Sequence, residues 1–182
     1  MGPKVKIQKE QITDAAFEIV RKGGMDSLTA KSLAAKLKCS TQPIFCHYKG
    51  MNDLKSVIGQ KAEDYFRECL SRPIQGISSF KAVGLNYIEF AAREKGLFKT
   101  LYMHKRLGDV FLDEKNEEYI LKVMDENPGL DKGEAQRVFK ELWIFSHGIA
   151  SMIATETASF SETEIQTMLT DVYKGILKSF QN

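Results

Sequence analysis

Apolar side chains recur along this chain with the spacing of an α-helix. In the first third, one helix face is formed by apolar residues at positions i, i+4, i+7 and i+8: Ile12, Ala16, Ile19 and Val20. Gly23 and Gly24 follow, and glycine is easily accommodated at a helix C-terminus. The alternation of a half-buried strand does not recur anywhere in the sequence, so the pattern predicts an all-α protein.

Between residues 28 and 50 the pattern predicts two short helices joined by a tight turn. Thr29 is placed to cap the first helix, whose inner face carries the apolar residues Leu33, Ala34 and Leu37. Residues 38–40 form the turn and Ser40 is placed to cap the second helix. Pro43 lies in the first turn of that helix, where a missing N–H costs little. Two helices joined in this way can place the second helix in the DNA major groove.

The rest of the chain predicts longer helices, for a total of about nine. Their expected ranges are 52–70, 75–94, 97–106, 114–125, 132–157 and 162–180. Ser161 and Glu164 match a capping box at the start of the last helix. Pro73 marks the end of the basic part of the chain. We therefore expect a helix-turn-helix domain over 1–50, a connecting helix over 51–72 and a larger helical domain over 73–182.

Charge is distributed unevenly over a chain whose formal net charge is only +2. Residues 1–50 carry nine Lys/Arg against four Asp/Glu, whereas residues 51–182 carry 17 against 20. A basic first third indicates that this end faces a polyanion, although a solvated surface rich in lysine explains the same count. With no apolar run of membrane-spanning length and no signal peptide, we expect a cytoplasmic protein that does not bind membranes. The three cysteines form no CxxC pair, so we expect reduced thiols and no metal site.

The second short helix combines hydrogen-bonding side chains with apolar ones, as a helix that reads DNA requires. Gln42 has an amide that can pair with adenine N6 and N7, and Lys49 is placed to contact phosphate. Basic residues before the first helix can reach along the DNA backbone. The predicted DNA contacts are Lys6, Thr29, Ser40, Thr41, Gln42, Pro43, Phe45, His47, Tyr48 and Lys49.

These motifs resemble those of the TetR family of bacterial transcriptional regulators. The resemblance depends on T-x-x-x-L-A-x-x-L at residues 29–37, C-S-T-x-x-I-F-x-H-Y at 39–48 and the D-L pair at 53–54. A second similarity lies in LWIFSHG at 142–148, which matches the W…HG pattern in the effector domain of one branch of the family. The resemblance implies a homodimer with an N-terminal three-helix DNA-binding unit. It also implies a C-terminal pocket in which a small molecule binds and releases operator DNA.

Four positions depart from the family pattern. The family often has Gly at the position of Gln42, Tyr at Phe45, Phe at Tyr48 and Lys at Met51. The change at Phe45 removes a phenol that would contact phosphate, and Gln42 introduces a contact specific to this protein. The resemblance therefore implies a shared fold with a different DNA preference.

The last two predicted helices are apolar on more than one side, which is typical of helices buried on more than one side. We expect them to form the dimer interface through Phe145, Ile149, Met152, Ile153, Met168, Val172, Tyr173 and Ile176. Aromatic and sulfur-containing residues are the candidates for an effector pocket: Tyr87, Phe90, Phe98, Tyr102, Met103, Trp143 and His147. A closed monomeric body and an ordinary core explain the same patterns. Since the predicted inner faces carry no carboxylate cluster, we expect a largely apolar effector.

The function expected from the sequence is that of a repressor released from a palindromic operator by a small molecule. Motifs for nucleophilic, metal-dependent or phosphate-binding catalysis are missing, so we expect no enzyme activity and no cofactor. Two alternatives remain: a helical adaptor that binds protein, and a thiol-based redox sensor that uses Cys46.

Overall fold

The computed structural model describes residues 7–103 and 116–180, which contain nine α-helices and no strand. The helices are α1 Lys9–Gly23, α2 Ala30–Leu37, α3 Gln42–His47, α4 Met51–Leu70, α5 Ser79–Arg93, α6 Lys95–Tyr102, α7 Glu117–Glu126, α8 Lys132–Ala154 and α9 Glu162–Lys178. A short 3₁₀ turn, Met25–Ser27, lies between α1 and α2. The prediction of an all-α fold is confirmed.

Helix ends differ from the predicted ones where the backbone turns sharply. Gly76 has a φ of +77°, so residues 75–78 turn before α5 instead of extending it. At the end of α8, Glu156 adopts a left-handed φ of 61°, and the helix therefore ends at Ala154 rather than at residue 157. The capping box of α9 is confirmed, since Ser161 Oγ accepts a hydrogen bond from the Glu164 N–H while Glu164 accepts one from the Ser161 N–H.

The structure divides into two compact units, and the division falls within α4. The described residues of unit 1 are 7–66 and 94–103, which include α1, α2, α3, most of α4 and α6. Those of unit 2 are 67–93 and 116–180, which include α5, α7, α8 and α9. The sequence order did not indicate that α6 groups with the N-terminal helices. The functional division at residue 72 stays a prediction.

Unit 1 is organised around α1, which contacts α2, α3, α6 and the 3₁₀ turn. The predicted inner face of α1 is largely confirmed, because Ile12, Ala16 and Val20 are fully buried whereas Ile19 is half-buried. Burying one such aliphatic side chain contributes about 1.5–3 kcal/mol, which holds the three short N-terminal helices together.

Unit 2 is organised around α8, which packs against α5, α7 and α9. Two polar side chains are buried there: Ser146 of α8 is 3% exposed and Asn86 of α5 is 5% exposed. Asn86 has main-chain partners. Its amide nitrogen donates to the carbonyl oxygens of Leu70 and Arg72 at 3.1 and 2.7 Å, and so satisfies acceptors at the C-terminus of α4. Within the described ranges, the helices are all too short or too polar to cross a membrane.

Candidate functional site

The segment from α2 to α3 forms a helix-turn-helix. α2 ends at Leu37, and residues 38–41 connect it to the start of α3 at Gln42. Lys38 adopts a left-handed conformation with a φ of 53° and donates its N–H to the last turn of α2. A left-handed residue directly after a helix reverses the chain within a few residues. The predicted turn is therefore present at the predicted position.

The caps of the two helices differ from each other. Thr29 caps α2 as predicted, since its Oγ1 accepts from the Ser32 N–H at 3.0 Å and Ser32 Oγ accepts from the Thr29 N–H at the same distance. Ser40, by contrast, does not cap α3. The N-cap position is Thr41, whose backbone is already helical (φ −74°, ψ −15°) and whose side chain makes no capping hydrogen bond. Pro43 lies in the first turn of α3 as predicted and is half-buried.

The inner side of α3 is fixed to α1. Ile44 is fully buried, and Tyr48, directly after the helix, is only 3% exposed. The Tyr48 hydroxyl shares a 2.6 Å hydrogen bond with Thr13 Oγ1, and the Lys9 ammonium lies 5.3 Å from the centre of the Tyr48 ring. The prediction that Tyr48 contacts DNA is corrected here, because its ring is part of the core that positions α3.

His47 also has a partner within the chain. Its Nε2–H donates to the carbonyl oxygen of Ile7 at 3.0 Å, and the ring is half-buried. This hydrogen bond holds the start of the described chain beside α3, so His47 positions the segment that precedes α1. Lys6, a predicted DNA contact in that segment, lies outside the described residues.

The outer side of α3 is open. Gln42, Phe45 and Cys46 are all exposed, and their spacing of three and four residues places them on one helix face. Ser40 and Thr41 are exposed just before the helix. We call Gln42, Phe45 and Cys46 the outer face of α3, and all three side chains are neutral in type.

The chain segment that contains this outer face is basic. Residues 27–52 contain four lysines and no Asp or Glu, and the structure exposes all four: Lys31, Lys36, Lys38 and Lys49. Two of them, Lys38 and Lys49, flank α3 in the chain. Duplex DNA has negatively charged phosphates on the outside and neutral base edges in its grooves. The lysines of this segment suit the phosphates, and the neutral face of α3 suits the base edges.

Unit 2 contains a cluster of three side chains from the predicted effector pocket. Trp143 and His147 of α8 stack with ring centres 4.8 Å apart and planes 6° apart. The Tyr87 hydroxyl lies 2.8 Å from His147 Nδ1, and Ser151 Oγ lies 3.2 Å from His147 Nε2. Burial lowers the pKa of His147, so the ring is held in its neutral form at pH 7. These three predicted residues therefore form one cluster, and Ser151 joins it by its i+4 position.

The other four predicted pocket residues are divided between the two units. Phe90 is buried on α5 in unit 2. Phe98 and Tyr102 belong to α6 in unit 1, where their ring centres lie 5.4 Å apart. Phe98 is fully buried, whereas Met103, directly after α6, is 42% exposed. The structure thus divides the predicted pocket set between the two units.

Two residues of the predicted dimer interface, Ile149 and Ile176, are buried within the single chain, and the interface itself stays a prediction. Ile149 and Ile176 are 3% and 7% exposed in the single chain, because they face the core of unit 2. Exposed apolar side chains lie instead at Ile144 (51%) and Met152 (38%), with exposed Gly148 between them. Their i, i+4, i+8 spacing places them on one face of α8, and Ile144 was not among the predicted interface residues. The other predicted interface residues are half-buried: Phe145, Ile153, Met168, Val172 and Tyr173.

The chain is similar to proteins that are named as transcriptional regulators. No family model matches the chain. An uncharacterized HTH-type transcriptional regulator of Bacillus subtilis, YobS, is 19% identical over 173 residues, which is 92% of this chain and 90% of that protein. The name of this relative describes it as a transcriptional regulator with a helix-turn-helix.

Two solved structures are similar over almost their whole length. A TetR-like transcriptional regulator from Rhodococcus sp. RHA1 has a TM-score of 0.70 at 16% identity, with 98% of this chain and 99% of that chain covered. A TetR variant from Acinetobacter baumannii AYE, in complex with minocycline, has a TM-score of 0.56 at 16% identity, with 97% of each chain covered. The helix-turn-helix and the helices that follow it therefore have the fold of TetR-like transcriptional regulators, as the sequence motifs implied.

Proposed function

We propose that this protein is a sequence-specific DNA-binding transcriptional regulator. The observation that carries the proposal is the two-sided character of α3. On its inner side Ile44 is buried and Tyr48, which follows the helix, bonds to α1, whereas its outer face of Gln42, Phe45 and Cys46 is exposed. The TetR-like fold supports the same conclusion.

In this proposal α3 enters the major groove and its outer face meets the base edges. Gln42 has the donor and acceptor needed for a bidentate contact with adenine. Ser40, Thr41 and the side chain of Lys49 lie at the ends of α3, where they can contact phosphates. The main-chain N–H of Lys49 donates to Asp53 Oδ2 at 3.0 Å, which fixes the backbone and leaves the ammonium group for DNA.

We further infer that two copies of the chain form a symmetric dimer. Ile144, Gly148 and Met152 form an exposed stripe on α8, and the small residue in its centre permits close helix approach. An isologous interface of this kind presents two copies of α3 related by a twofold axis. Such a dimer binds an inverted repeat whose half-sites are about one helical turn apart.

The proposed regulation is release of a repressor from its operator by a small molecule bound in unit 2. The cluster of Tyr87, Trp143 and His147 combines flat apolar surfaces with polar atoms, as ligand sites do. Neither alternative from the sequence is favoured: the similar proteins are named as regulators, and exposure of Cys46 alone does not make its thiol reactive.

Selection of bound DNA from a random duplex pool tests the proposed function. We expect enrichment of an inverted repeat, and binding that weakens steeply with salt. Lys49→Ala should reduce the slope of log K against log salt by about one per protomer, because one phosphate contact is lost. Lys178→Ala is the matched control, since Lys178 is an exposed lysine of unit 2. A protein that retards no DNA at low salt would contradict the proposal.

Cys46 offers an independent measurement of the same interface. It is the exposed cysteine, whereas Cys39 is half-buried and Cys69 is buried. Operator DNA should therefore slow alkylation of Cys46 by iodoacetamide, as followed by peptide mass spectrometry, without a comparable effect at Cys39. Unchanged alkylation of Cys46 in a complex that demonstrably forms would show that the outer face of α3 does not meet DNA.

A further inference from the structure

An aromatic ring lies uncovered at the centre of the outer face of α3. Phe45 is 48% exposed, and it is the aromatic member of the large apolar side chains exposed in the described parts of the chain: Phe45, Val57, Met103, Leu121, Ile144 and Met152. The ring lies on a helix whose other side is fixed, so it cannot turn inward without moving Ile44 and Tyr48 out of the core.

The chemistry of the ring restricts what it can contact on DNA. A phenylalanine ring has no hydrogen-bonding group and would only remove water from a charged phosphate, which is unfavourable. In the major groove the apolar feature at a base edge is the 5-methyl group of thymine, and phenylalanine is among the side chains that pack against it. The ring therefore suits a base and not the DNA backbone.

The position of Gln42 on the same helix face indicates which base pairs Phe45 can contact. Gln42 lies three residues earlier on the same face, about 4.5 Å along the helix axis. Base pairs repeat about every 3.4 Å, so the two side chains can meet neighbouring base pairs. Gln42 is suited to adenine, and both A·T orientations present a thymine methyl in the major groove.

We propose that Phe45 is a specificity-determining residue that packs on the 5-methyl group of a thymine in each operator half-site, next to the base pair contacted by Gln42. This inference rests on the proposed function and names the operator chemistry that the outer face of α3 selects. It predicts half-sites with neighbouring A·T pairs at the centre of the α3 contact.

Replacing thymine with deoxyuridine tests this inference, because the replacement removes the methyl group and leaves base pairing unchanged. Each thymine of the selected half-site is replaced in turn, and the dissociation constant is measured for the full-length protein. We expect one position at which affinity falls about fourfold per half-site, the factor that corresponds to one buried methyl group. The Phe45→Ala variant should bind the thymine and the deoxyuridine duplexes with the same dissociation constant.

Two further variants keep the test specific. Phe45→Tyr retains the ring and should retain discrimination between thymine and deoxyuridine. Val57→Ala removes another exposed apolar side chain, at 37% exposure on α4, and should also retain it. Because Phe45 is largely exposed, we expect Phe45→Ala to keep its circular dichroism spectrum and melting temperature.

The outcomes separate the two proposals. If the wild-type protein binds its operator but does not distinguish deoxyuridine from thymine at any position, the inference about Phe45 is overturned and the proposed function stands. If Phe45→Ala still discriminates as the wild type does, another residue contacts the methyl group and the inference is overturned. If no DNA is bound at all, both proposals fail together.

Discussion

The ion pair between Arg21 of α1 and Glu94, directly before α6, yields a prediction about unit 1. The guanidinium donates twice to the carboxylate, from Nε at 2.6 Å and from Nη2 at 2.5 Å. The Tyr65 hydroxyl donates to the same carboxylate at a longer 3.3 Å. The hydrogen bond with Glu94 raises the pKa of Arg21 above its ordinary value, as expected of a close ion pair.

The two partners differ in their access to water, and the predicted effects of mutation differ accordingly. The side chain of Glu94 is 6% exposed and that of Arg21 is 41% exposed. Arg21→Met leaves the buried carboxylate of Glu94 with the Tyr65 hydroxyl as its side-chain donor. We expect the free energy of unfolding to fall by about 3 kcal/mol, the lower end of the range for breaking a buried ion pair. Glu94→Gln retains an acceptor and lets the guanidinium turn to water, at about 1 kcal/mol. The predicted difference is therefore about 2 kcal/mol.

The assay is amide hydrogen exchange of peptides that cover α6, combined with urea unfolding followed by circular dichroism. The exposed pair of Arg93 and Glu89 on α5, at 2.8 Å with side chains 76% and 51% exposed, supplies the control. Arg93→Met should cost less than about 1 kcal/mol. The double variant Arg21→Met with Glu94→Gln should recover part of the loss of Arg21→Met, because it no longer buries an unpaired charge. If Glu94→Gln destabilises unit 1 as much as Arg21→Met does, the reasoning from unequal burial is wrong.

Three other substitutions test the structure at separate places. Gly96→Ala should destabilise unit 1, because a Cβ at Gly96 would overlap two main-chain carbonyl oxygens of α1. A Cβ at Gly59 meets open space, so Gly59→Ala should stabilise α4 by about 0.5–1 kcal/mol. Equal melting temperatures of the two variants would contradict this. Ser161→Ala should cost about 1 kcal/mol through loss of the α9 cap, and exposed Ser159→Ala, the control, should cost little. His147 has a pKa lowered by burial, so the folded state favours its neutral form; its contribution to stability is complete above pH 6.5 and is lost as the pH falls through the lowered pKa. His147→Gln should therefore flatten the decrease of melting temperature below pH 6.5, and an unchanged slope would exclude the effect.

Local signals in the sequence predicted local structure well. Helical periodicity located all nine helices of the described residues to within a few positions, because burial of one apolar face determines where a helix forms. The caps at Thr29 and Ser161 were predictable, since each bonds to the residue three positions later. The cap at Ser40 was not, because the left-handed Lys38 starts a turn of four residues and moves the helix start beyond it.

Contacts between residues that are far apart in the chain could not be predicted from the sequence. Tyr48 is an amphipathic residue that suits both a DNA surface and a core, and its position was decided by Thr13, 35 residues away. The ion pair that joins α1 to the start of α6 is formed by Arg21 and Glu94, which are 73 residues apart. Where α8 and α9 are apolar on several sides, periodicity predicted burial but did not assign Ile149 to the core of its own chain.

The positions at which this chain departs from the TetR pattern differ in their burial, and their expected effects differ with it. Tyr48 lies in the core and bonds to α1, so the departure there changes how α3 is held. Gln42 and Phe45 lie on the outer face of α3, so the departures there change what α3 presents. An exposed substitution on a helix usually changes the stability of the fold very little. The proposed function therefore allows an operator that differs from those of regulators with the same fold, and we expect Gln42 and Phe45 to account for that difference.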